Sequence, residues 1–410
     1  MKNHCMVVHA YYPVREPRVE REVNALLKHG YTVDVICLRQ DGEPATEIRD
    51  GVRIFRLPVK RHRGKGAAVQ LLEYLAFFTA AFARLALLHR RERYDVVQIH
   101  NLPDFLVFAA LVPKLAGARV ILDIHDVMPE FYASRFKSGM SSWPVRLVRW
   151  QEWLSCRFAD HVITVTDLWR ETLIQRGVRP DKVSVVMNVA NDQIFQDSAA
   201  EEPPERTDDH FNVLYHGTIT ERYGIDLLIR AIDRVRHTIP EVRLTIHGVG
   251  EYRDALVQLT AELGLQDYVQ FSTRFIPTPE MPQFIRQADV GVVPYRRDVF
   301  TDGILPTKLM EYAALGVPSI VARTSVIAAY FDDTMVQFFK PGDVEDLAHS
   351  ITLLYHDRQR LSSLAQHASR FNQRYNWTTV SAGYVALVEQ FYSELNEQTN
   401  KRTNEQNART

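Results

Sequence analysis

Two kinds of hydrophobic pattern alternate along the chain. Short apolar runs are separated by longer stretches in which apolar residues recur at helical spacing, a pattern typical of parallel α/β architecture. In the first half the strand-like runs are residues 5–10, 31–38, 52–57, 95–100, 119–125, 161–166 and 183–187. In the second half they are residues 212–216, 243–247, 268–272, 289–294, 318–322 and 335–339. The pattern predicts two doubly wound, Rossmann-like sheets.

The length of the chain also favours two domains, because 410 residues exceed one ordinary core. The charged, proline-containing stretch 201–209 is the best linker candidate. We therefore predict an N-terminal domain over 1–197 and a C-terminal domain over 210–377. The chain is expected to return to the first domain over 378–397. The polar tail 398–410 is expected to be disordered.

Composition indicates a globular protein of a reducing compartment. Hydrophobic residues make up 46% of the chain and charged residues 24%. Cys5, Cys37 and Cys156 are widely spaced, which predicts no disulfide framework and no metal site built from cysteines. The N-terminus runs directly into a strand, so no signal peptide is predicted. We expect a cytoplasmic protein.

The net charge of −1 is unevenly distributed. Residues 1–200 hold 28 basic and 22 acidic residues, whereas residues 201–410 hold 21 and 28. A basic first half suggests an anionic partner such as a phospholipid or a lipid-linked phosphate. Nucleic acid is not expected, because no recognition motif accompanies the charge.

Two segments raise the question of membrane contact. Residues 74–88 are nearly all apolar but are short for a membrane span and contain Arg84, so a buried crossover helix is one interpretation. Contact with a membrane surface is the other. In residues 135–157, tryptophans are interleaved with arginines and lysines, which suits an interface but also an ordinary core. Peripheral contact at the inner face of the membrane therefore stays open.

The segment 301–322 carries the clearest chemical signal. It reads as a turn, a short helix with Pro306 at its first position, a stop at Gly316 and a strand. Lys308 lies in the first helical turn, where a cation opposes the helix dipole unless an anion binds there. Glu311 shares its helix face, so a surface Lys–Glu pair is the alternative.

A similar strand–loop–helix arrangement opens the second half. The predicted strand ends at His216, Gly217 permits close backbone approach, and a helix is expected to begin near 223–226. Arg222 would supply positive charge. Both segments therefore predict anion binding at the carboxyl ends of parallel strands.

Together these segments resemble the nucleotide-sugar domain of retaining GT-B fold glycosyltransferases of family 4 (glycosyl transferases group 1). Other stretches match the family in order and spacing: 16–22, 158–166, 186–192, 246–251, 271–276, 288–294 and the helix after Trp377. The resemblance covers about residues 5–395. It implies two domains facing across a cleft, with a C-terminal helix crossing back to the first.

The resemblance also implies a reaction. A sugar would pass from a UDP-, GDP- or ADP-sugar to a hydroxyl of a glycan or lipid-linked acceptor, with retention of anomeric configuration. Biosynthesis of a surface polysaccharide is the expected setting. No cofactor is implied. No Asp-x-Asp motif follows a strand, so protein cations are expected to replace a metal.

Site residues are carried over by position. His125 matches the histidine at the reaction centre, Lys308 and Arg222 match the groups at the diphosphate, and Glu311 matches the acceptor of the ribose hydroxyls. The remaining donor-binding candidates are Gly217, Thr218, Phe275, Ile276, Leu305, Pro306 and Thr307. The acceptor-side candidates are Arg15, Arg18, His100, Asn101 and Asp126.

The chain departs from the family pattern at three places. Gly303 stands where the family has a carboxylate near the sugar, so we expect Asp302 or the Thr307–Lys308 pair to compensate. Thr218 stands in place of an arginine, which leaves positive charge to Arg222 and Lys308. A glycine-rich loop after the first strand is replaced by residues 11–15.

Other functions remain open at this stage. A GT-B sugar epimerase would use the same nucleotide site without a second substrate. A catalytically silent nucleotide-sugar-binding partner is compatible with the glycine at 303. A dinucleotide dehydrogenase is disfavoured, because no Gly-x-Gly-x-x-Gly follows the first strand.

Overall fold

The computed structural model describes residues 2–13, 16–61, 66–192, 194–195, 209–272, 274 and 276–407. The chain forms two compact units. The first comprises Met1–Met187 and Thr379–Thr410, and the second comprises Asn188–Thr378. The first boundary thus lies before the predicted one at residue 197, and the second lies beside the predicted one at 377.

The described part of the first unit contains an eight-stranded sheet with the order β3-β4-β2-β1-β5-β6-β7-β8. Its strands are β1 Lys2–Val8, β2 Tyr31–Leu38, β3 Thr46–Arg49, β4 Val52–Leu57, β5 Val96–His100, β6 Arg119–Ile124, β7 His161–Thr164 and β8 Val183–Val185. All neighbours pair in parallel except β3, which pairs antiparallel with β4. The central strands are buried on both faces, which explains their continuous apolar runs.

The edge strand β3 was not predicted. None of its four residues is buried, so its sequence carries no apolar run. Such a strand owes its conformation to pairing with β4 rather than to a pattern of its own.

Helices fill the connections of the first unit. They are α1 Pro17–Lys28, α2 Ala67–Glu92, α3 Leu111–Leu115, α4 Met128–Arg135, α5 Trp143–Phe158 and α6 Asp167–Gln175. Short 3-10 helices lie at Asp104–Ala110 and Pro180–Lys182. The helix α2 is long and apolar enough to cross a membrane by length and composition. One side of it packs inside the unit through Phe77, Ala81 and Leu85.

The second unit contains a six-stranded parallel sheet in its described part, with the order β11-β10-β9-β12-β13-β14. Its strands are β9 Phe211–His216, β10 Val242–His247, β11 Val269–Ser272, β12 Val290–Val293, β13 Ser319–Ala322 and β14 Gln337–Phe339. Its helices are α7 Ile225–Val235, α8 Arg253–Glu262, α9 Met281–Ile285, α10 Thr307–Ala314, α11 Ser325–Tyr330, α12 Val344–His356 and α13 Arg358–Arg374. Further 3-10 helices lie at Glu221–Tyr223, Thr278–Glu280 and Thr301–Gly303.

The last helix, α14 Trp377–Asn407, packs on the first unit. Its Tyr384 hydroxyl donates to the side-chain carbonyl of Gln98 in β5 (2.7 Å), and Glu389 pairs with Lys2 in β1 (3.1 Å). The helix continues to Asn407, so our expectation of disorder is wrong for residues 398–407. Residues 408–410 lie outside the described part of the chain.

Candidate active site

Lys308 is the central cation of the second unit. Pro306 precedes α10 as its N-cap, so the helix begins one residue later than predicted and Lys308 is its second residue. The Lys308 side chain is buried, and its residue is 6% exposed. Its Nζ donates to the Tyr295 hydroxyl (3.2 Å) and lies 5.0, 5.3 and 5.2 Å from the ring centroids of Tyr215, Tyr223 and Tyr295. We call these three rings the tyrosine cage.

The cage supplies no negative charge. Within the described residues, no carboxylate lies within ion-pair distance of the Lys308 Nζ, which donates its hydrogen bond to the neutral phenol of Tyr295. Burial lowers the pKa of Lys308 to about 8, while the more distant charge of Glu311 works in the opposite direction. The site therefore holds a buried ammonium with no anionic partner among the residues that the structure describes.

Gly217 lets Lys308 reach the end of β9. A Cβ at this position would lie 3.1 Å from the Lys308 Cε and 3.3 Å from its Nζ, and the backbone φ is +117°. Both the contact and the conformation favour glycine. The Lys308 ammonium therefore packs against the backbone of Gly217, which directly follows β9 at the carboxyl end of the sheet.

Glu311 pairs with histidine rather than with Lys308. The His216 Nε2 lies 2.6 Å from its Oε2, and the Tyr312 hydroxyl lies 2.9 Å from the His216 Nδ1. Tyr312 packs against Gly291 of β12, where any Cβ would come within 2.5 Å of the ring. The alternative of a surface Lys–Glu pair is therefore wrong. Glu311 stays partly exposed, and its contact with His216 engages only Oε2.

Arg222 and Thr218 lie on the connection between β9 and α7. The Tyr215 hydroxyl donates to the Thr218 carbonyl (2.6 Å), which fixes the turn after the strand. Tyr223, the neighbour of Arg222, stacks on Tyr295 with centroids 4.4 Å apart. The Arg222 guanidinium itself lies 5.6 Å from the centroid of the Phe300 ring. Arg222 therefore packs beside Phe300 and directly precedes Tyr223 of the tyrosine cage.

The other donor-side candidates differ in the solvent exposure of their side chains. Leu305 and Pro306 are buried, Thr307 is exposed, and Ile276 is half-buried after the end of β11. Phe275 lies outside the described residues. Among these residues, Thr307 therefore offers the most accessible group beside Lys308.

Asp302 does not replace the carboxylate missing at Gly303. Its Oδ1 lies 2.9 Å from the Arg297 Nε and accepts from the Ser325 backbone N–H (2.8 Å), and its Oδ2 accepts from the Ser325 hydroxyl (2.7 Å). Both oxygens are thus engaged at the start of α11. This leaves the Thr307–Lys308 pair as the expected compensation.

His125 lies at the end of β6 in the first unit, next to a buried carboxylate. Its Nε2 lies 3.2 Å from the Asp123 Oδ2, and its side chain is 21% exposed. Because a carboxylate only accepts hydrogen bonds, Nε2 carries a proton, and the same Nε2 lies 3.1 Å from the His100 Nδ1. Burial opposes the imidazolium, but Asp123 outweighs that effect and raises the pKa of His125.

Arg18 orders this cluster instead of binding a substrate. It is buried in α1, and its Nε and Nη2 donate to Asp123 (3.0 and 2.9 Å) while Nη1 donates to the Val186 carbonyl (2.8 Å). Its acceptor-side assignment is therefore wrong. Burial opposes ionisation of Asp123, but Arg18 and then His125 hold the pKa of that carboxyl well below its usual range.

His100 and Asn101 are also internal, contrary to our expectation that they line the acceptor side. The His100 Nδ1 lies 3.1 Å from the Asp123 Oδ2, and burial lowers its pKa to about 4. The Asn101 Oδ1 accepts from the backbone N–H of His125 (2.8 Å), and its Nδ2 donates to Asp104 and to the Asp126 carbonyl. These residues position His125. Asp126 is half-buried, and Arg15 lies outside the described residues.

One group in the described part of the chain has the composition of a metal site. Donor atoms of His100, Asp123 and His125 lie within 4.8 Å of one another. However, the Arg18 guanidinium already binds both Asp123 oxygens, so a metal ion would meet a fixed positive charge. The chemistry of the group favours orientation of His125 over metal binding.

Comparison with known families decides the class. Residues 16–188 match the family model of the glycosyl transferase 4-like domain, and residues 197–371 match that of the glycosyl transferases group 1. The protein is a GT-B glycosyltransferase of group 1. The family models thus confirm the predicted resemblance to the glycosyl transferases group 1.

Relatives and solved structures agree with this assignment. The glycosyltransferase is 26% identical to D-inositol 3-phosphate glycosyltransferase of Thermobispora bispora, over 86% of this chain and 84% of the relative. Sucrose-phosphate synthase of Thermosynechococcus elongatus has a TM-score of 0.76 at 18% identity, covering 96% of this chain and 100% of that one. Anabaena HepE in complex with UDP-glucose has a TM-score of 0.70 at 16% identity, covering 95% and 99%. The two structures show the fold.

Several residues of the site were missed from the sequence: Tyr215, Tyr223, Tyr295, His216 and Asp123. Four of them end a strand or follow it closely, so position alone was a usable signal. What the sequence did not reveal is that three tyrosines from separate elements surround one lysine.

Proposed function

We propose that the glycosyltransferase moves a sugar from a nucleoside diphosphate sugar to a hydroxyl of a glycan or lipid-linked acceptor, with retention. The observation that carries the proposal is the buried Lys308 ammonium in the tyrosine cage, which has no anionic partner among the described residues. A buried charge without a counter-charge is costly. A diphosphate would remove that cost, and the site would stabilise it strongly.

The leaving group explains why the lysine is placed there. As the sugar departs, negative charge grows on the diphosphate, and a fixed cation stabilises that charge more than it stabilises the ground state. Lys308 is held by Tyr295 and by the Gly217 peptide, so little reorganisation is needed. Arg222 and the backbone N–H groups at the start of α10 would supply further donors.

We assign Glu311 to the ribose of the donor nucleotide. Its Oε1 would accept from the ribose hydroxyls while Oε2 stays bound to His216. UDP is the nucleotide that we test first, because the structural neighbour HepE is in complex with UDP-glucose. A hydroxyl acceptor agrees with the relative named as an inositol phosphate glycosyltransferase. The polysaccharide setting rests on the family resemblance.

Retention is proposed with the acceptor attacking on the face of the leaving group. A phosphate oxygen of the diphosphate would take the proton of the acceptor hydroxyl. The His125 Nδ1, held by the Asp123 contact at Nε2, would donate to and orient a substrate oxygen. Arg18, His100 and Asn101 would keep the ring in place without touching a substrate.

We further propose that no metal is required and that the enzyme acts in the cytoplasm. Lys308 and Arg222 provide the charge that a divalent ion supplies elsewhere. The Arg18 guanidinium occupies the carboxylate of the one candidate metal group in the described chain.

The test combines nucleotide binding with turnover. Purified full-length protein is screened by thermal shift against UDP, GDP and ADP, and a ligand at 100 times its dissociation constant adds about 2.7 kcal/mol to stability. The matching nucleotide sugars are then incubated with candidate acceptors, with and without EDTA. We expect acceptor-dependent release of the nucleoside diphosphate that EDTA does not reduce. Stabilisation by none of the nucleotides would overturn the proposal.

The same assay separates the two alternatives. A sugar epimerase would change the donor when it is incubated alone, whereas a transferase leaves its sugar configuration intact. A silent binding partner would be stabilised by the nucleotide sugar but would neither hydrolyse nor transfer it. The donor-only reaction therefore identifies an epimerase, and the reaction with an acceptor separates a transferase from a silent binding partner.

Glu311→Ala should weaken nucleotide affinity by about tenfold to a hundredfold with a smaller effect on kcat. Hydrogen bonds from hydroxyls to a carboxylate are worth roughly 1.5–3 kcal/mol and exist in ground and transition states alike. Calorimetric titration with the preferred nucleotide checks this. Glu345→Ala, which removes an exposed carboxylate from α12 of the same unit, should leave affinity unchanged. Unaltered binding in Glu311→Ala would show that the ribose assignment is wrong.

A further inference from the structure

The helix α5 exposes a row of aromatic and basic side chains. Trp143 is 76% exposed and Trp150 is 57% exposed. The whole row, which we call the Trp–Arg face, consists of Trp143, Arg146, Leu147, Arg149, Trp150, Trp153 and Arg157. Their spacing of three and four residues places them along one side of the helix, while Val145, Glu152 and Cys156 are buried on the other.

The charge on this face has one sign. Glu152 is the only acidic residue in α5, and it is buried and paired with Arg176 (2.8 Å). Within the described residues, Arg146 and Arg149 have no ion-pair partner, while the Arg157 guanidinium lies 5.7 Å from the Trp153 ring centroid. The face therefore offers apolar rings together with uncompensated positive charge.

Other helices of the first unit also expose apolar side chains. Both α2 and α5 pack against the 3-10 helix Asp104–Ala110, so they belong to one layer of the first unit. The outer side of α2 exposes Leu72, Leu75 and Leu87, and α3 exposes Leu115. The α2 carboxylates are not free, because Glu73 is paired with His9 and Glu92 with Arg53.

A basic cavity lies at the C-terminal end of α5. It has a volume of about 550 Å³, and Arg157, Lys114 and Lys182 line it together with the rings of Phe108 and Phe158. Asp160 in its wall is paired with Lys114 (2.6 Å). Arg157 belongs both to the cavity and to the Trp–Arg face, so the cationic surface is continuous.

We propose that the first unit docks on the surface of an anionic phospholipid bilayer through the Trp–Arg face. The rings of Trp143 and Trp150 would enter the interfacial region, where amphipathic aromatic side chains are favoured. Arg146 and Arg149 would contact headgroup phosphates, and one headgroup would occupy the basic cavity. This inference goes beyond the proposed function and needs no donor or acceptor to be tested.

The charges favour a lipid surface over a second copy of this chain. In a two-fold symmetric dimer through this face, the arginines of one copy would meet the arginines of the other, and like charges repel. An anionic bilayer neutralises the same residues. Tryptophan beside arginine on one amphipathic helix is also the composition of membrane-surface helices.

Vesicle binding tests the proposal directly. Full-length protein is sedimented with vesicles of phosphatidylcholine alone and with vesicles that also contain phosphatidylglycerol. We expect binding to the anionic vesicles, much weaker binding to the neutral ones, and weakening as salt increases. Tryptophan fluorescence should shift to shorter wavelength on binding, and Trp143→Ser/Trp150→Ser should remove most of that shift.

Charge-reversal variants provide the matched comparison. Arg146→Glu/Arg149→Glu should weaken binding to anionic vesicles by at least about tenfold, since each basic residue near such a surface contributes to affinity. Arg230→Glu/Arg374→Glu makes the same charge change on exposed arginines of the second unit and should bind like the unmodified protein. Circular dichroism verifies that each variant is folded.

Three results would overturn the inference. The first is absence of binding to the anionic vesicles, and the second is an equal loss in the two arginine pairs. The third is a dimer in sedimentation velocity that Trp143→Ser/Trp150→Ser dissociates, which would identify the face as a protein interface. None of these results bears on sugar transfer, so failure here is distinguishable from failure of the proposed function.

Discussion

Replacing Lys308 by methionine should lower kcat by about 10²-fold. Loss of one preorganised donor to a developing negative charge costs roughly 2.7–4 kcal/mol in transition-state stabilisation. Methionine preserves most of the buried volume inside the tyrosine cage, so the fold should persist. Steady-state assays with the preferred nucleotide sugar measure the effect. Donor affinity should fall less than kcat, because leaving-group charge is greatest in the transition state.

The pH dependence of nucleotide binding provides a second test of Lys308, because a purely structural role would not produce it. Its pKa is lowered to about 8 by burial, and a bound diphosphate should raise it again. Nucleotide binding above pH 8 should therefore take up a proton and weaken as pH rises. Calorimetry in buffers of different ionisation enthalpy detects that proton, which Lys308→Met should abolish.

Lys340→Met is the matched control for Lys308→Met. Lys340→Met removes an exposed ammonium from the same unit, and turnover should be unchanged. If Lys308→Met retained full turnover, or if Lys340→Met lost as much, the assignment of Lys308 to the leaving group would be wrong.

Replacing His125 by alanine should lower kcat/KM by about 10²-fold, because losing a hydrogen bond from a charged donor costs roughly 1.5–3 kcal/mol. As proposed, the imidazolium donates from Nδ1, so the activity of the unmodified enzyme should fall as pH rises through its raised pKa. The pH–rate profile of His125→Ala should lack that fall in activity with rising pH. His29→Ala replaces an exposed histidine of the same unit and should keep both rate and profile.

The same histidine links stability to pH. Because the folded pKa of His125 is raised, its attraction to Asp123 stabilises the fold fully below the unfolded pKa of about 6.5. That contribution is lost as pH rises through the folded value. An unchanged rate in His125→Ala, or a profile that keeps the fall in activity with rising pH, would remove the residue from the mechanism.

Much of the fold could be predicted from the sequence because its strands are buried on both faces. Most of the central strands are then continuous apolar runs, although β10 alternates between buried and half-buried residues, and both sheets were located in this way. The exceptions follow the same physics. The edge strand Thr46–Arg49 has no buried residue, and the polar segment 398–407 is helical despite lacking an apolar pattern.

The site was only partly predictable, because side chains meet through tertiary contacts. Lys308 was predicted from its place at a helix start, and Glu311 and His125 were assigned from the family resemblance. The partner of Arg18 lies 105 residues away in sequence, so an arginine that appeared available is in fact internal. The tyrosine cage depends on the pairing of β9 with β12. No local pattern encodes that contact.

The helix Trp377–Asn407 has a consequence for biogenesis. Its Tyr384 bonds to Gln98, which in turn bonds to Glu22 beside Arg18, so the final segment completes the polar core beneath Asp123. During translation the first unit therefore lacks this layer until the second unit has emerged from the ribosome. Maturation of the first unit is thereby tied to synthesis of the helix Trp377–Asn407.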